Sequence, residues 1–314
     1  MKRILVTGGA GFIGSWLVES LLDTQSCHVT VLDDLSTGQH QHLPTNHPKH
    51  LHWIHGNVND RGTMEACMKH GAFDHVFHYA AVVGVARTQK HPMKVLEDID
   101  GLRHVLELSH QHGIQRVFFA SSSEVYGEPV ELPQHEETTP LNSRLPYAVV
   151  KNLGEVMMRA YHQELNLPYT IFRFFNTYGP RQSEDFVITR FTQLALKNLP
   201  ITIYGDGSQT RTFCHITDNI QATTKALFHG RCVNEVVNIG NPHQISILEL
   251  ATKIIEQTGS HSEIIHLPAL PEGDMQRRQP DTSKMEQLIG RPLKPLDEGL
   301  MDTISYFRQR AQES

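Results

Sequence analysis

The fold is decided by the stretch Ile4-Leu5-Val6-Thr7-Gly8-Gly9-Ala10-Gly11-Phe12-Ile13-Gly14. The run from Arg3 to Thr7 is typical of a buried strand and leads into a glycine-rich turn. Apolar residues then recur at helical spacing from Phe12 to Leu22, so the turn joins a strand to a helix. The spacing is GxxGxxG. The first glycine permits the tight turn, the second lets the backbone approach a pyrophosphate, and the third lets helix and strand pack closely.

An acidic residue stands at the end of the second predicted strand, His28 to Leu32. It is Asp33, nineteen residues after Gly14. A carboxylate at this point accepts hydrogen bonds from the adenosine ribose hydroxyls and repels a 2′-phosphate. Because no arginine follows immediately, the sequence predicts NAD as the cofactor rather than NADP.

Strands and helices alternate through the first half of the chain, which predicts a parallel, doubly wound α/β sheet of the Rossmann type with helices on both faces. Helical spacing of apolar residues extends from Met93 to Ser109. After about residue 175 the elements shorten, which predicts a smaller C-terminal α/β lobe that binds substrate. We therefore expect an NAD-binding domain at 1–175, to which a segment at about 210–240 returns, and a lobe at 176–314. The further predicted strands are Leu51–His55, His75–His78, Val117–Ala120, Tyr169–Phe174 and Val236–Ile239.

The composition excludes several classes of protein. A net charge of −6 argues against a general nucleic-acid binder, which needs a basic face. No apolar run approaches the roughly 20 residues that span a bilayer, and no signal peptide follows Met1-Lys2-Arg3. The four cysteines lie far apart, which is typical of free thiols in a reducing compartment. We expect a cytoplasmic, globular protein with neither nucleic acid nor membrane as a partner.

Histidine is unusually frequent, with 21 residues in the chain. One reading of the densest stretch is a metal-binding tract, and the other is a polar surface loop. No HExxH motif or matched carboxylate supports a metal, so we expect none. The stretch contains His40, His42, His47, His50, His52 and His55.

The candidate catalytic residues follow the fifth strand. Tyr147 and Lys151 are four residues apart and therefore share one face of a helix running to about Leu165. A neighbouring ammonium favours the phenolate of a tyrosine, which then accepts a proton from a sugar hydroxyl as hydride leaves the same carbon. Upstream, Ser121-Ser122-Ser123-Glu124 emerges at the carboxyl end of the sheet, where a substrate is expected.

Together these motifs resemble those of extended short-chain dehydrogenases/reductases, the NAD-dependent nucleotide-sugar epimerases and dehydratases similar to UDP-glucose 4-epimerase. The resemblance covers nearly the whole chain. Its remaining motifs are Ala80-Ala81, Arg173-Phe174-Phe175-Asn176-Thr177-Tyr178-Gly179-Pro180-Arg181, Tyr204-Gly205-Asp206-Gly207-Ser208-Gln209-Thr210-Arg211 and Arg278-Gln279-Pro280-Asp281.

The resemblance implies that Ser122 and Tyr147 bracket the reacting hydroxyl, that Lys151 supports the tyrosine and the cofactor, and that Glu124 belongs to the catalytic group. Asn57 stands where the family often has aspartate, and we expect its amide to pair with the adenine edge. The implied NAD-binding residues are Gly8, Gly11, Phe12, Ile13, Gly14, Asp33, Asp34, Ser36, Gly38, Asn57, Val58, Tyr79, Ala80, Ala81, Tyr147 and Lys151.

The resemblance also implies how a UDP-sugar is held. Asn176 and Val187 hold the diphosphate and the base, Tyr204 lies beside the uracil, and Arg211 and Arg278 clamp the phosphates. Two arginines suit a pyrophosphate because each guanidinium makes bidentate, charge-assisted hydrogen bonds. The implied substrate-binding residues are Ser123, Asn176, Val187, Tyr204, Arg211 and Arg278.

The exact reaction stays open between alternatives. The resemblance implies that the reaction begins with oxidation of the sugar at C4. The Ser123-Glu124 pair lacks the aspartate of 4,6-dehydratases and matches decarboxylases acting on UDP-glucuronate, whereas the residues around Tyr147 resemble those of epimerases. C4-epimerisation is the first reading and decarboxylation the second. An inactive NAD-binding scaffold is disfavoured because Ser122, Tyr147 and Lys151 are all present. The resemblance further implies a homodimer in which helices at 93–109 and 147–165 form a four-helix bundle.

Overall fold

The computed structural model describes residues 1–268 and 277–313. No helix in these ranges is long and apolar enough to cross a membrane. The strands are β1 Lys2–Thr7, β2 Cys27–Asp33, β3 Leu51–His55, β4 His75–His78, β5 Arg116–Ser122, β6 Tyr169–Phe174, β7 Thr177–Tyr178, β8 Ile201–Tyr204, β9 Thr210–Thr212, β10 Cys214–His215, β11 Glu235–Ile239, β12 Gln244–Ser246 and β13 Ile264–Leu267. The helices are α1 Phe12–Asp23, α2 Arg61–Gly71, α3 Val85–Lys90, α4 Pro92–Leu96, α5 Asp98–Gln111, α6 Pro146–Leu165, α7 Val187–Leu196, α8 Ile216–Phe228, α9 Ile247–Thr258, α10 Ser283–Ile289 and α11 Leu296–Glu313.

Within the described residues, seven strands form one sheet in the order β11-β6-β5-β4-β1-β2-β3. The pairings among β1 to β6 are all parallel. The strand order runs outward in both directions from β1 and β4, and the carboxyl ends of those two strands mark the switch point where ligands bind in such sheets. The predicted doubly wound Rossmann fold is confirmed.

The chain forms two compact units. The first contains residues 1–125, 143–174 and 220–237, and the second contains residues 126–142, 175–219 and 238–314. The core of the first lies where α2, α5 and α6 cover one face of the sheet, with Leu5, Leu106 and Phe119 among its buried members.

The second unit has its own core, in which Phe191, Ile203, Leu250 and Leu300 are buried. Among the described residues of this unit, three small two-stranded sheets accompany the core. They pair β7 with β10 in parallel, β9 with β12 antiparallel, and β8 with β13 in parallel.

The segment 126–142 belongs to the second unit, although the sequence places it in the NAD-binding domain. A buried polar network explains this. The Tyr126 hydroxyl donates to Asn238 Oδ1 over 2.7 Å, and the Asn238 backbone amide donates to Glu136 Oε1 over 2.8 Å. The Asn238 side chain also donates to the carbonyl of Gln134 over 2.9 Å. Buried polar groups need such partners, so these bonds tie the segment to its unit.

The helix predicted from Met93 to Ser109 is divided into α4 and α5 at Glu97. The backbone amide of Asp100 donates to the Glu97 carbonyl three residues back, over 3.1 Å, which tightens the chain into a turn. The predicted strand Val117–Ala120 is longer than expected, since β5 continues through Ser121 and Ser122.

Candidate functional site

The glycine turn after β1 is packed so closely that side chains do not fit. Gly8 has a φ of +71°, and a Cβ there would lie 2.6 Å from the backbone nitrogen of Ala80. A Cβ on Gly14 would lie 2.1 Å from the Gly8 carbonyl oxygen. Gly11 caps α1 without any side-chain hydrogen bond, and no acidic residue lies in the first turn. The first turn of α1 therefore carries no carboxylate of its own against the positive end of the helix dipole, and a phosphate suits this position.

Asp33 fixes the loop that a dinucleotide would contact. Its Oδ2 accepts from the backbone amide of Ala10 over 2.9 Å, and its Oδ1 accepts from that of Leu35 over 2.8 Å. Burial raises the pKa of this carboxyl, and the two backbone hydrogen bonds oppose that rise. A Cβ on Gly38 would lie 2.9 Å from the carbonyl carbon of Ala10, so this loop closes tightly over the turn. The glycine turn and the loop that Asp33 holds against it therefore fit NAD.

The remaining predicted NAD-binding residues also lie in the first unit. Asn57 is exposed, and its Oδ1 accepts from the backbone amide of Asn59 over 2.8 Å, whereas Val58 is buried. The backbone amide of Ala80 donates to Thr7 Oγ1 over 3.3 Å at the end of β4. The others are Phe12 and Ile13 on α1, Asp34 and Ser36 in the loop after β2, and Tyr79 and Ala81 after β4.

The candidate catalytic serine ends β5. Ser122 is buried, and its Oγ accepts from the backbone amide of Glu124 over 3.2 Å. A short 3₁₀ helix, Ser123–Tyr126, follows the strand and turns Glu124 into a half-buried position. The three residues Ser122, Ser123 and Glu124 therefore all lie at the carboxyl end of the central sheet.

Tyr147 and Lys151 lie in the first turns of α6, which begins at Pro146. Lys151 is 5% exposed, and its Nζ lies 5.7 Å from the centre of the Tyr147 ring and 5.0 Å from that of Phe119. Burial lowers the pKa of Lys151 to about 8, while the charge of Asp98 opposes this shift. An ammonium held beside a phenol in this way favours the phenolate.

Two acidic residues that sequence reasoning missed lie near this pair. Asp98 accepts from the backbone amide of Val82 over 2.8 Å, and burial raises its pKa. Glu155 is fully buried, and its oxygens accept from Arg173 Nε over 2.9 Å and from Arg173 Nη2 over 2.7 Å. A signal for Glu155 was available, because it continues the four-residue spacing of Tyr147 and Lys151 on one helix face.

Glu155 also anchors the strand that carries the serines. Ser121 Oγ donates to Glu155 Oε1 over 2.6 Å, and Arg159 Nη2 donates to Oε2 over 3.1 Å. Burial alone would raise the pKa of Glu155, but the hydrogen bond and charge of Arg173 outweigh it, so this pKa is lowered. The carboxylate therefore ties α6 to the ends of β5 and β6.

The residues predicted to hold the nucleotide all lie in the second unit, whereas those predicted for NAD and catalysis all lie in the first. Asn176 Nδ2 donates to the Thr212 carbonyl over 3.2 Å, which places Asn176 beside the strand of Arg211. The Arg211 side chain donates to the Thr210 carbonyl over 2.8 Å. Val187 begins α7, Tyr204 ends β8, and Arg278 is buried in the segment before α10.

Comparison with known proteins shows which family the chain resembles. Residues 4–240 match the model of the NAD dependent epimerase/dehydratase family. The chain is 36% identical to UDP-N-acetyl-alpha-D-glucosaminuronate decarboxylase of Bacillus cytotoxicus, with 98% of each chain covered. It is 35% identical to UDP-glucuronic acid decarboxylase 1 of Xenopus tropicalis, over 99% of this chain and 73% of that protein.

A solved structure shares the whole fold. The UDP-glucose 4-epimerase of Thermotoga maritima, determined with UDP-glucose, superposes with a TM-score of 0.91 at 32% identity, covering 98% of this chain and 99% of the other. Both the family match and these identities extend far beyond the glycine turn. The chain therefore belongs to the NAD-dependent epimerase/dehydratase family.

Proposed function

We propose that this protein inverts the configuration at C4 of a UDP-sugar through a 4-keto intermediate. The observation that carries the proposed oxidation at C4 is the buried ammonium of Lys151 beside the Tyr147 ring, and the residues around Tyr147, which resemble those of epimerases, favour inversion as the outcome. A tyrosine ordinarily has a pKa near 10, so it needs a neighbouring positive charge to act as a base near neutrality. Lys151 supplies that charge, and because it is buried, water screens its field only weakly.

Each residue then has a defined task. NAD held at the glycine turn and Asp33 would supply the acceptor, and later the donor, of the C4 hydride. The Tyr147 phenolate takes the proton from the C4 hydroxyl during oxidation and gives it back during reduction, so protons and electrons balance over the cycle. Ser122 holds the same oxygen by a hydrogen bond, and Lys151 stabilises the phenolate. The product is the epimer because the keto-sugar presents its other face before hydride returns.

The choice of UDP rests on the second unit and on the relatives. Arg211 and Arg278 carry guanidinium groups suited to a diphosphate, and we assign Asn176, Val187 and Tyr204 to the remaining contacts of the nucleotide. The relatives from Bacillus cytotoxicus and Xenopus tropicalis are named for UDP-sugars, and the Thermotoga maritima structure holds UDP-glucose.

Glu124 favours a second candidate, the decarboxylation of a UDP-hexuronate. Oxidation at C4 places a ketone β to the C6 carboxylate, so the C5–C6 bond can break with loss of carbon dioxide. A proton must then reach C5 before hydride returns to C4, and Glu124 is the acidic residue beside Ser122 and Ser123. The two relatives with 36% and 35% identity are both named as decarboxylases, which also supports this candidate.

The products decide between the two. The NAD-loaded protein is incubated separately with UDP-glucose, UDP-N-acetylglucosamine, UDP-glucuronate and UDP-N-acetylglucosaminuronate, and each product is analysed by mass spectrometry and NMR. An unchanged mass with inverted C4 supports the epimerase, and loss of carbon dioxide from a uronate supports the decarboxylase. Glu124→Gln is the matched variant, since it should spare epimerisation and abolish decarboxylation. Failure to convert any of these sugars, with NAD bound, would contradict both candidates.

We also propose that the enzyme is a cytoplasmic homodimer. The outward face of α6 exposes Val149, Leu153 and Val156, spaced four and three residues apart as a continuous stripe, and α4 exposes Met93 and Leu96. Two copies that pair these helices across a two-fold axis would cover the stripe with a four-helix bundle. Light scattering on the purified protein tests this, and a monomer at micromolar concentration would contradict it.

A further inference from the structure

A groove with a volume of about 820 Å³ runs between β3, the edge strand of the large sheet, and α2. The α2 wall presents Thr63, Ala66 and His70, whose spacing of three and four residues places them on one helix face. This volume is within the range of about 300–1,000 Å³ typical of small-molecule sites. None of the residues assigned above to NAD or to the UDP-sugar lines it.

The charges of the groove are opposite to those of the chain as a whole. The chain has a net charge of −6, yet no aspartate or glutamate is among the residues that line the groove. Half of the histidine-rich stretch contributes to it, through His50, His52 and His55. His40 instead packs edge-on against Trp53, with ring centres 4.4 Å apart. The nitrogen-bearing side chains of the groove are Arg3, Lys49, His28, His50, His52, His55 and His70.

These donors are available to a ligand. Within residues 1–268 and 277–313, the exposed side chains of Arg3, Lys49, His52 and His70 make no hydrogen bond or ion pair. The neighbouring Asp74 accepts from the backbone amide of Arg3 over 2.7 Å. The Arg3 guanidinium is left without an ion-pair partner among the described residues. Nδ1 of His50 is buried and likewise has no hydrogen-bond partner among the described residues.

In the part of the chain described, no three histidine, cysteine, aspartate or glutamate side chains group as ligands for a metal ion. We propose that the groove binds a small phosphate-bearing polyanion. A guanidinium, an ammonium and several imidazole N–H groups offer many donors in one elongated groove. A chain of phosphoryl groups matches them because it carries several negative charges and oxygen acceptors along its length. The proposal does not depend on the reaction at the carboxyl end of the sheet.

Calorimetric titration with inorganic tripolyphosphate tests the site. The protein is first saturated with NAD and UDP to fill the other phosphate sites. We expect tripolyphosphate to bind at one site in addition to those that NAD and UDP occupy. Arg3→Gln/Lys49→Gln should weaken binding about tenfold or more, because hydrogen bonds to charged groups are lost. Lys94→Gln/Lys197→Gln removes the same charge at exposed positions outside the groove and should change affinity less than about threefold.

A second variant tests the groove without removing its cations. Ala66 is exposed on the α2 wall, so Ala66→Glu places a carboxylate among the donors and should abolish binding while the protein remains folded. ATP in place of tripolyphosphate separates the two sources of this chemistry. Tighter binding of ATP would identify a nucleotide, equal binding would identify the phosphate chain alone, and both support the site. Equal affinity of the wild type and the Arg3→Gln/Lys49→Gln variant, or no binding to the wild type, would overturn it.

Discussion

Two buried cations of the first unit, Lys151 and Arg173, have opposite surroundings. Arg173 is 1% exposed and makes two hydrogen bonds to the carboxylate of Glu155. Lys151 is 5% exposed, and its ammonium makes no hydrogen bond with any described residue. It faces the rings of Tyr147 and Phe119 and is balanced only at a distance, by Asp98.

The difference indicates different roles. A buried charge that is cancelled by a bidentate partner has no free field with which to act on a substrate, so the Arg173–Glu155 pair serves the structure. A buried charge without such a partner destabilises the fold, and its field acts on whatever lies beside it. The neighbour of Lys151 is the phenol of Tyr147, which we propose as the base. Removing each charge should therefore have opposite effects on activity and stability.

The largest effect is expected at Lys151. We predict that Lys151→Met lowers turnover by about 10²–10⁴-fold, the range typical of lost acid–base catalysis, while the free energy of unfolding does not decrease. Steady-state kinetics and urea denaturation of the same preparation measure both quantities. Tyr147→Phe is the matched control and should lose turnover to a similar extent while it still binds NAD. Turnover within about twofold of wild type in either variant would contradict the assigned roles.

At Arg173, the paired cation, we expect a large loss of stability instead of a loss of catalysis. Glu155→Gln leaves Arg173 buried without a carboxylate and should cost about 3–5 kcal/mol of unfolding free energy, the usual result of breaking a buried pair on one side. The double variant Glu155→Gln/Arg173→Met should recover part of that loss, because no unpaired charge remains. Urea denaturation measures all three proteins. If Glu155→Gln matched Lys151→Met in lost turnover below its unfolding temperature, the division of roles would be wrong.

The contrast also explains what could be predicted from the sequence. Gly8, Gly14 and Asp33 act through a local turn, and Tyr147 and Lys151 act through one helix face, so their spacing is visible in the chain. The pairing of Glu155 with Arg173 joins a helix to a strand, and the placement of residues 126–142 depends on Asn238 far along the chain. Such partners are fixed by tertiary packing, which leaves only a weak trace in local spacing.

The smallest effect is a dependence of stability on pH that belongs to Lys151 alone. Its pKa is lowered to about 8 in the folded protein, from the ordinary value of 10.5. Between these values the unfolded chain keeps a proton that the folded chain has released, so raising the pH favours the folded state. The gain is at most on the order of 3 kcal/mol, since each pKa unit corresponds to about 1.4 kcal/mol.

Lys151→Met has no group that titrates in this range. The stability of the wild type should therefore rise relative to this variant from pH 8 to 10.5, and the two curves should be parallel below pH 8. Urea denaturation at a series of pH values measures the difference. Parallel curves across the whole range would mean that Lys151 keeps its proton like a solvated lysine and that its isolation from carboxylates has no energetic consequence.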